Sequence, residues 1–220
     1  PDWVRRFNLM GDSVGGAGHL IPLEPNELVS LAQSITGLSD FGDFDGDWRS
    51  RLDSMVTAIE NESNLSVVGR LMTRQEILRS LQTRLYMTRR LDETPAILDE
   101  VIEAPIIVTG QGRSGTSILF ELLSLDPDAR SIAAWEATHP VSTGLDVDTM
   151  IARTEPEQEL WADIQPEYAT VHEHRSDLPV ECITPMMPSF ASFQWWIEKS
   201  LTTWMPDFVA ALQFHTVFLK

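Results

Sequence analysis

The sequence predicts an α/β chain in which a parallel sheet is flanked by helices and preceded by a helical N-terminal layer. Three observations carry that prediction. Residues 25–92 repeat apolar side chains at helical spacing and hold several capping signals. At Pro105 the pattern changes to a β-branched run, Ile106-Ile107-Val108-Thr109, which breaks at Gly110. A loop with three glycines, an arginine and three hydroxyls follows, and helical periodicity resumes at Ile118. The expected division is a helical layer over 1–92 and a P-loop-like core over 93–220, the core truncated at its C-terminal end.

Residues 1–22 read as irregular because of the glycine cluster at Gly15, Gly16 and Gly18. Pro25-Asn26-Glu27 starts a first helix and Gly37 ends it. The acidic stretch Asp40 to Asp47 reads as a solvated helix-entry loop. It mimics a calcium loop through Asp43, Asp45 and Asp47, but Trp48 stands where a glycine is required and Ser54 where a glutamate belongs. Leu52, Met55, Val56 and Ile59 mark a second helix. Thr73-Arg74-Gln75-Glu76 reads as the capping box of a third, with Ile77, Leu78, Leu81 and Leu85 behind it. Arg74, Arg79, Arg84, Arg89 and Arg90 give that helix a basic face, read as solvated.

After the loop, Ser114 is expected to cap a helix with the core face Ile118, Leu119, Leu122 and Leu123, stopped by Asp126-Pro127. Ser131 to Trp135 reads as a second strand and Glu157 to Ile164 as a helix. Phe190, Phe193, Trp195, Trp196 and Trp204 are expected to fill a core, with an apolar substrate cleft as the other reading of such aromatic density.

The net charge of -17 argues against a nucleic-acid partner, since such a surface must neutralise phosphates. A small anion held by a local basic loop is compatible with it. Cys182 is the single cysteine, so no intrachain disulfide forms. That usage fits a reducing compartment, and a cytoplasmic location is expected. No apolar run approaches the ~18 residues that mark a membrane span. Pro1 at the start, and an apolar segment running up to Lys220, read as trimmed ends.

The loop carries the chemistry. Gly110 and Gly115 have the spacing of a Walker A loop and Ser117 fills its last place, but Thr116 stands where the lysine belongs. That lysine reaches the β- and γ-phosphates of a nucleotide, which a threonine cannot do. Arg113 is the nearby cation. The pattern favours a phosphate-type ligand with less charge than a magnesium-bound triphosphate, held by backbone N–H groups at a helix start.

Pro105 to Asp128, with Trp135-Glu136 following, resembles the cofactor-binding segment of sulfotransferases, notably their bacterial, actinobacterial branch. Asp177 to Cys182 and Thr36 to Gly42 are similar to further segments of that branch. The resemblance implies metal-free, in-line transfer of a sulfuryl group from 3′-phosphoadenosine 5′-phosphosulfate (PAPS) to an acceptor hydroxyl or amine. It implies that Gly112, Arg113, Ser114, Gly115, Thr116 and Ser117 hold the phosphosulfate. Arg113 would meet the bridging and sulfuryl oxygens, and Glu136 would be the catalytic base.

His139 is the alternative base, with His172 and His174 a further candidate pair. His172, Glu173 and His174 lack a third ligand at zinc spacing. The arginine and serine with which the family binds the 3′-phosphate find no match in this chain. The acceptor is expected to be a small apolar or amphipathic molecule, and the sequence does not give an oligomeric state. Two other readings compete: a P-loop kinase-like nucleotide enzyme, against which Thr116 stands, and a non-catalytic binding protein with a degenerate phosphate loop.

Overall fold

The computed structural model describes residues 1–111, 114–141, 144–167, 170 and 173–220. Its frame is a long helix, α5 (Val67–Glu93), with shorter helices laid against its first half. The N-terminus is helical rather than irregular: α1 (Asp2–Ser13) and α2 (Ala17–Leu20) precede a turn into α3 (Pro25–Thr36). Gly11 seats α1 on α5, because a Cβ there would stand 2.8 Å from Val67 Cγ2. Asn8 Oδ1 accepts from the Val68 N–H at 3.1 Å and so caps α5 from outside.

α3 starts at its proline and stops at Gly37, which takes the left-handed conformation (φ 70°). α4 (Trp48–Ala58) is capped by Asp47, whose carboxylate accepts from the Ser50 N–H at 3.0 Å. Leu52, Met55, Val56 and Ile59 are buried as their spacing requires.

α5 begins about two turns before the expected capping box. Ser66 caps it, and Thr73 lies inside the helix with its hydroxyl donating to the Gly69 carbonyl. The expected solvated arginine face is also corrected. Arg74 donates to the Pro22 carbonyl, Arg79 pairs with Glu157, and Arg84 is fully buried, leaving Arg89 and Arg90 exposed.

Arg84 explains the acidic loop. Its guanidinium meets both oxygens of the buried Asp45 at 2.8 and 2.9 Å and donates to the carbonyls of Phe41, Gly42 and Pro188. Arg51 reaches the same carboxylate at 2.7 Å. Phe44, Trp48 and Phe214 surround the Arg84 guanidinium with ring centroids 5.1–5.5 Å away. Burial pulls the Arg84 guanidinium down, opposed mainly by Asp45.

The predicted parallel sheet is corrected: among the described residues there is no strand. Residues 105–109 have no ladder partner, and Ile106 and Ile107 are 75% and 79% exposed. A β-branched run becomes a strand only when a neighbour takes its N–H and C=O groups. The expected strand at Ser131 to Trp135 is reduced to one antiparallel bridge, Ala133 with Pro179. With no sheet beneath it, α6 (Thr116–Leu123) buries none of its residues, and its intended core face is open at Ile118, Leu119 and Leu122.

The remaining helices are α7 (Ala134–Thr138), α8 (Val147–Ile164), α9 (Phe193–Glu198) and α10 (Phe208–Leu219). α8 starts well before the expected Glu157, because Asp146 caps it through the Thr149 N–H. Phe190 and Trp195 are fully buried and Trp204 nearly so, which makes this aromatic cluster a core. Phe193 and Trp196 stack 5.0 Å apart at its edge, only partly buried. Among the described residues, no helix is long and apolar enough to cross a membrane.

Two polar ties fix the 187–204 segment to the helical frame. Lys199 Nζ lies 2.6 Å from Glu76 and 3.2 Å from Glu198. Burial opposes the Lys199 charge, but both carboxylates outweigh it and hold the ammonium above its ordinary value. On the surface, Glu62 accepts from the Thr202 and Thr203 N–H groups and from both their hydroxyls. Those bonds, the Thr203 hydroxyl first, lower the Glu62 carboxyl from 4.5 to about 2.

A carboxyl lowered on folding stabilises the fold fully above its unfolded value. That contribution fades as pH falls from 4.5 toward 2. Glu62→Gln is therefore expected to flatten the acid limb of the stability–pH curve in that window. Urea midpoints measured from pH 2 to 6 check it, and an unchanged slope refutes it.

Candidate functional site

The loop is shaped by two glycines. At Gly110 a Cβ would stand 2.8 Å from Ser114 Oγ and 2.9 Å from Thr116 Cγ2, so the chain folds back over this residue. Gly115 has φ 91°, a conformation that other residues adopt only with strain, and it is the N-cap of α6. Ser114, the expected cap, instead donates its N–H to the Gln111 carbonyl at 3.2 Å.

No side chain caps α6, and the Leu119 N–H closes the first turn onto the Gly115 carbonyl. The N–H groups ahead of it point out of the helix, where the dipole favours an anion. Ser114, Gly115, Thr116 and Ser117 are thus brought together at one helix start, with Gly110 beneath them. Gly112 and Arg113, the other predicted cradle residues, lie outside the described residues.

The second predicted element, Trp135-Glu136, lies at the start of α7, and its support comes from a distant segment. The Ala134 N–H donates to the Leu178 carbonyl at 2.9 Å and the Trp135 N–H to Ser176 at 3.0 Å. The Val180 N–H returns to Ile132 at 2.9 Å. The Asp177 to Cys182 stretch, picked out in the sequence by resemblance alone, thus supplies Leu178 and Val180 to a clamp that, with Ser176, holds residues 132–135 just before Glu136. Glu155 on α8 fixes the clamp by accepting from the Ser176 N–H at 2.8 Å.

Both carboxylate oxygens of Glu136 are engaged. Oε2 accepts from the Ala133 N–H at 3.0 Å, capping α7, and Oε1 accepts from Arg130 at 2.6 Å. Arg130 is largely exposed, so this second contact can be exchanged for another donor.

His139 ends α7, with its backbone N–H bonded to the Trp135 carbonyl. Its buried Nε2 makes no hydrogen bond and lies 3.7 Å from Glu157 Oε1. Glu157 Oε2 accepts from Arg79 at 2.5 Å. Burial would raise the Glu157 carboxyl, but His139 and Arg79 outweigh it and hold it below the usual carboxylate range. The sequence reading missed both Arg79 and Glu157, since they lie on two helices far apart in the chain.

His174 Nδ1 lies 3.4 Å from Gln158 Oε1, while His172 is outside the described residues. A concavity of about 830 Å³ lies between α1, α2 and the start of α5, and the loop does not line it.

No protein-family model and no curated protein matches the chain. Solved structures do. The sulfotransferase STF1 from Mycobacterium tuberculosis H37Rv aligns over 88% of this chain with a TM-score of 0.70 and 24% identity. The sulfotransferase STF9 from Mycobacterium avium aligns over 88% with a TM-score of 0.71 and 23% identity. The chain therefore shares its fold with bacterial sulfotransferases. It spans only 56% and 52% of those two chains, about half their length.

Proposed function

We propose that the protein is a sulfotransferase that moves a sulfuryl group from PAPS to a hydroxyl or amine of a small acceptor. One observation carries this reading. A lysine-free glycine and hydroxyl loop at the uncapped start of α6 lies in a fold shared with two sulfotransferases. Backbone N–H groups at the start of α6, with the hydroxyls of Ser114, Thr116 and Ser117, fit a 5′-phosphate. Gly112 completes the cradle, and Arg113 supplies the cation at the bridging oxygen, where charge builds as the bond breaks.

For a hydroxyl acceptor, the acceptor oxygen attacks sulfur and a new S–O bond forms. The S–O bond to the 5′-phosphate breaks, and its electron pair stays on the phosphate. The acceptor's proton passes to Glu136, which exchanges Arg130 for the acceptor while keeping its hold on the Ala133 N–H.

Incubation of the protein with sulfur-labelled PAPS and a panel of phenols, alcohols and amines tests the reading. Labelled sulfate ester or sulfamate is expected, and PAPS binding without transfer to any acceptor would sink it. Glu136→Gln keeps an oxygen for the Ala133 cap but loses the base. Turnover should fall by roughly 10²–10⁴-fold with PAPS affinity unchanged. Unaltered turnover would move the base to His139.

A further inference from the structure

We infer that Glu157, backed by Arg79, is a positioning residue. It holds the His139 ring with its Nε2–H toward α8 and so fixes the far end of the short helix that presents Glu136. The catalytic part of this inference rests on the sulfotransferase reading; the structural part does not.

α7 has five residues, too few to be stable without tertiary support. Its start is clamped by the backbone of residues 176–180 and by Glu136 itself. Its end is held through His139. That ring presents Nε2 to the Glu157 carboxylate at 3.7 Å, and both side chains are about three-quarters buried (24% and 26% exposed). An ionised carboxylate only accepts hydrogen bonds, so the ring atom facing it carries a proton, and in the neutral ring it is Nδ1 that keeps the lone pair. The separation is longer than a formed hydrogen bond, so the preference for Nε2–H comes from the carboxylate's charge across the contact.

Arg79 fixes the other oxygen of Glu157 from α5, which leaves Oε1 directed at the ring. The neighbouring charges have partners of their own. Glu76, one turn before Arg79, pairs with Lys199, and Glu155 accepts from the Ser176 N–H. From the segment after α8, His174 faces Gln158 rather than Glu157. The relay Arg79–Glu157–His139 thus joins α5 and α8 to the end of α7, the helix that carries Glu136.

The test has two readouts. Nitrogen-15 spectra of the imidazoles should show the neutral His139 ring protonated at Nε2, with that preference lost in Glu157→Ala and retained in Glu157→Gln, whose amide oxygen still accepts. A ring protonated at Nδ1 in the unaltered protein overturns the inference.

With PAPS and 4-methylumbelliferone as acceptor, Glu157→Ala should lower kcat about tenfold or more while the PAPS KM stays within about twofold. Glu157→Gln should keep most of the rate. His139→Ala should lose as much as Glu157→Ala, and the double variant no more than either, since the two act as one unit. Equal kcat in Glu157→Ala and the unaltered protein overturns the inference. If Glu157→Ala fails to fold, His139→Ala, which removes only the ring, is read against the same criteria. If the unaltered protein transfers no sulfuryl group to any acceptor, the functional reading fails and the spectra alone decide the inference.

Discussion

Replacing Arg84 with methionine is expected to cost roughly 3–5 kcal/mol of stability, a large fraction of the ~5–15 kcal/mol that holds an ordinary domain folded. The side chain is fully buried and ties the Asp40–Asp47 loop, α5 and the Met187–Phe190 turn to one another. Methionine fills much of its volume but donates nothing. Three carbonyls lose a donor, and the buried Asp45 keeps only Arg51. An unpaired buried acceptor costs more than the bond was worth, which is why removing one partner does more harm than removing both.

Arg84→Met combined with Asp45→Leu should therefore recover part of the loss. Urea unfolding followed by tryptophan fluorescence reads both effects, since Trp48 stacks on the site. A single-variant midpoint equal to that of the unaltered protein would show that the charge cluster contributes nothing.

The same cluster shows what a sequence can and cannot reveal. The ends of α3 were legible from Pro25 and Gly37, and the buried face of the next helix because periodicity alone fixes which side is buried: Leu52, Met55, Val56 and Ile59 lie where it requires. Arg84 was not legible. An arginine at helical spacing among four others reads as a solvated face unless Asp45, far away in the chain, is known to sit opposite it. The sheet failed for a related reason. Ile106-Ile107-Val108-Thr109 has strand chemistry, but pairing is a property of two segments, and none pairs with it among the described residues.

At the site, the glycine and hydroxyl pattern suggested an anion cradle from local residues, and the shared fold bears out the resemblance to sulfotransferases. The relay at the end of α7 depends on Arg79 and Glu157, 78 positions apart, and no local motif marks such a pair. α1 was hidden because the glycine cluster just after it, Gly15, Gly16 and Gly18, made residues 1–22 read as irregular. Gly11, inside the helix, is the contact that lets α1 approach α5.

Arg113→Ala is expected to abolish sulfuryl transfer while leaving the fold intact. Arg113 is the one cation between Gly110 and Ser117, in a chain whose net charge is -17. Backbone N–H groups and a helix dipole supply partial charges that favour a bound phosphate. They do not supply a full positive charge at the oxygen that takes the electron pair when the S–O bond breaks. Losing a single donor of that kind costs catalysis roughly 10²–10³-fold. Losing a charged one here should be at least as severe, because no lysine follows Gly115 to share the load.

Arg113→Lys separates charge from geometry. A lysine keeps the charge but loses the planar fork that meets two oxygens at once, so partial recovery is expected. Calorimetric titration with PAPS should show weaker binding for the alanine variant, and its thermal midpoint should match that of the unaltered protein. A variant that loses activity and stability together would place Arg113 in the fold instead. One that keeps full activity would remove the loop from the chemistry, and the sulfotransferase reading with it.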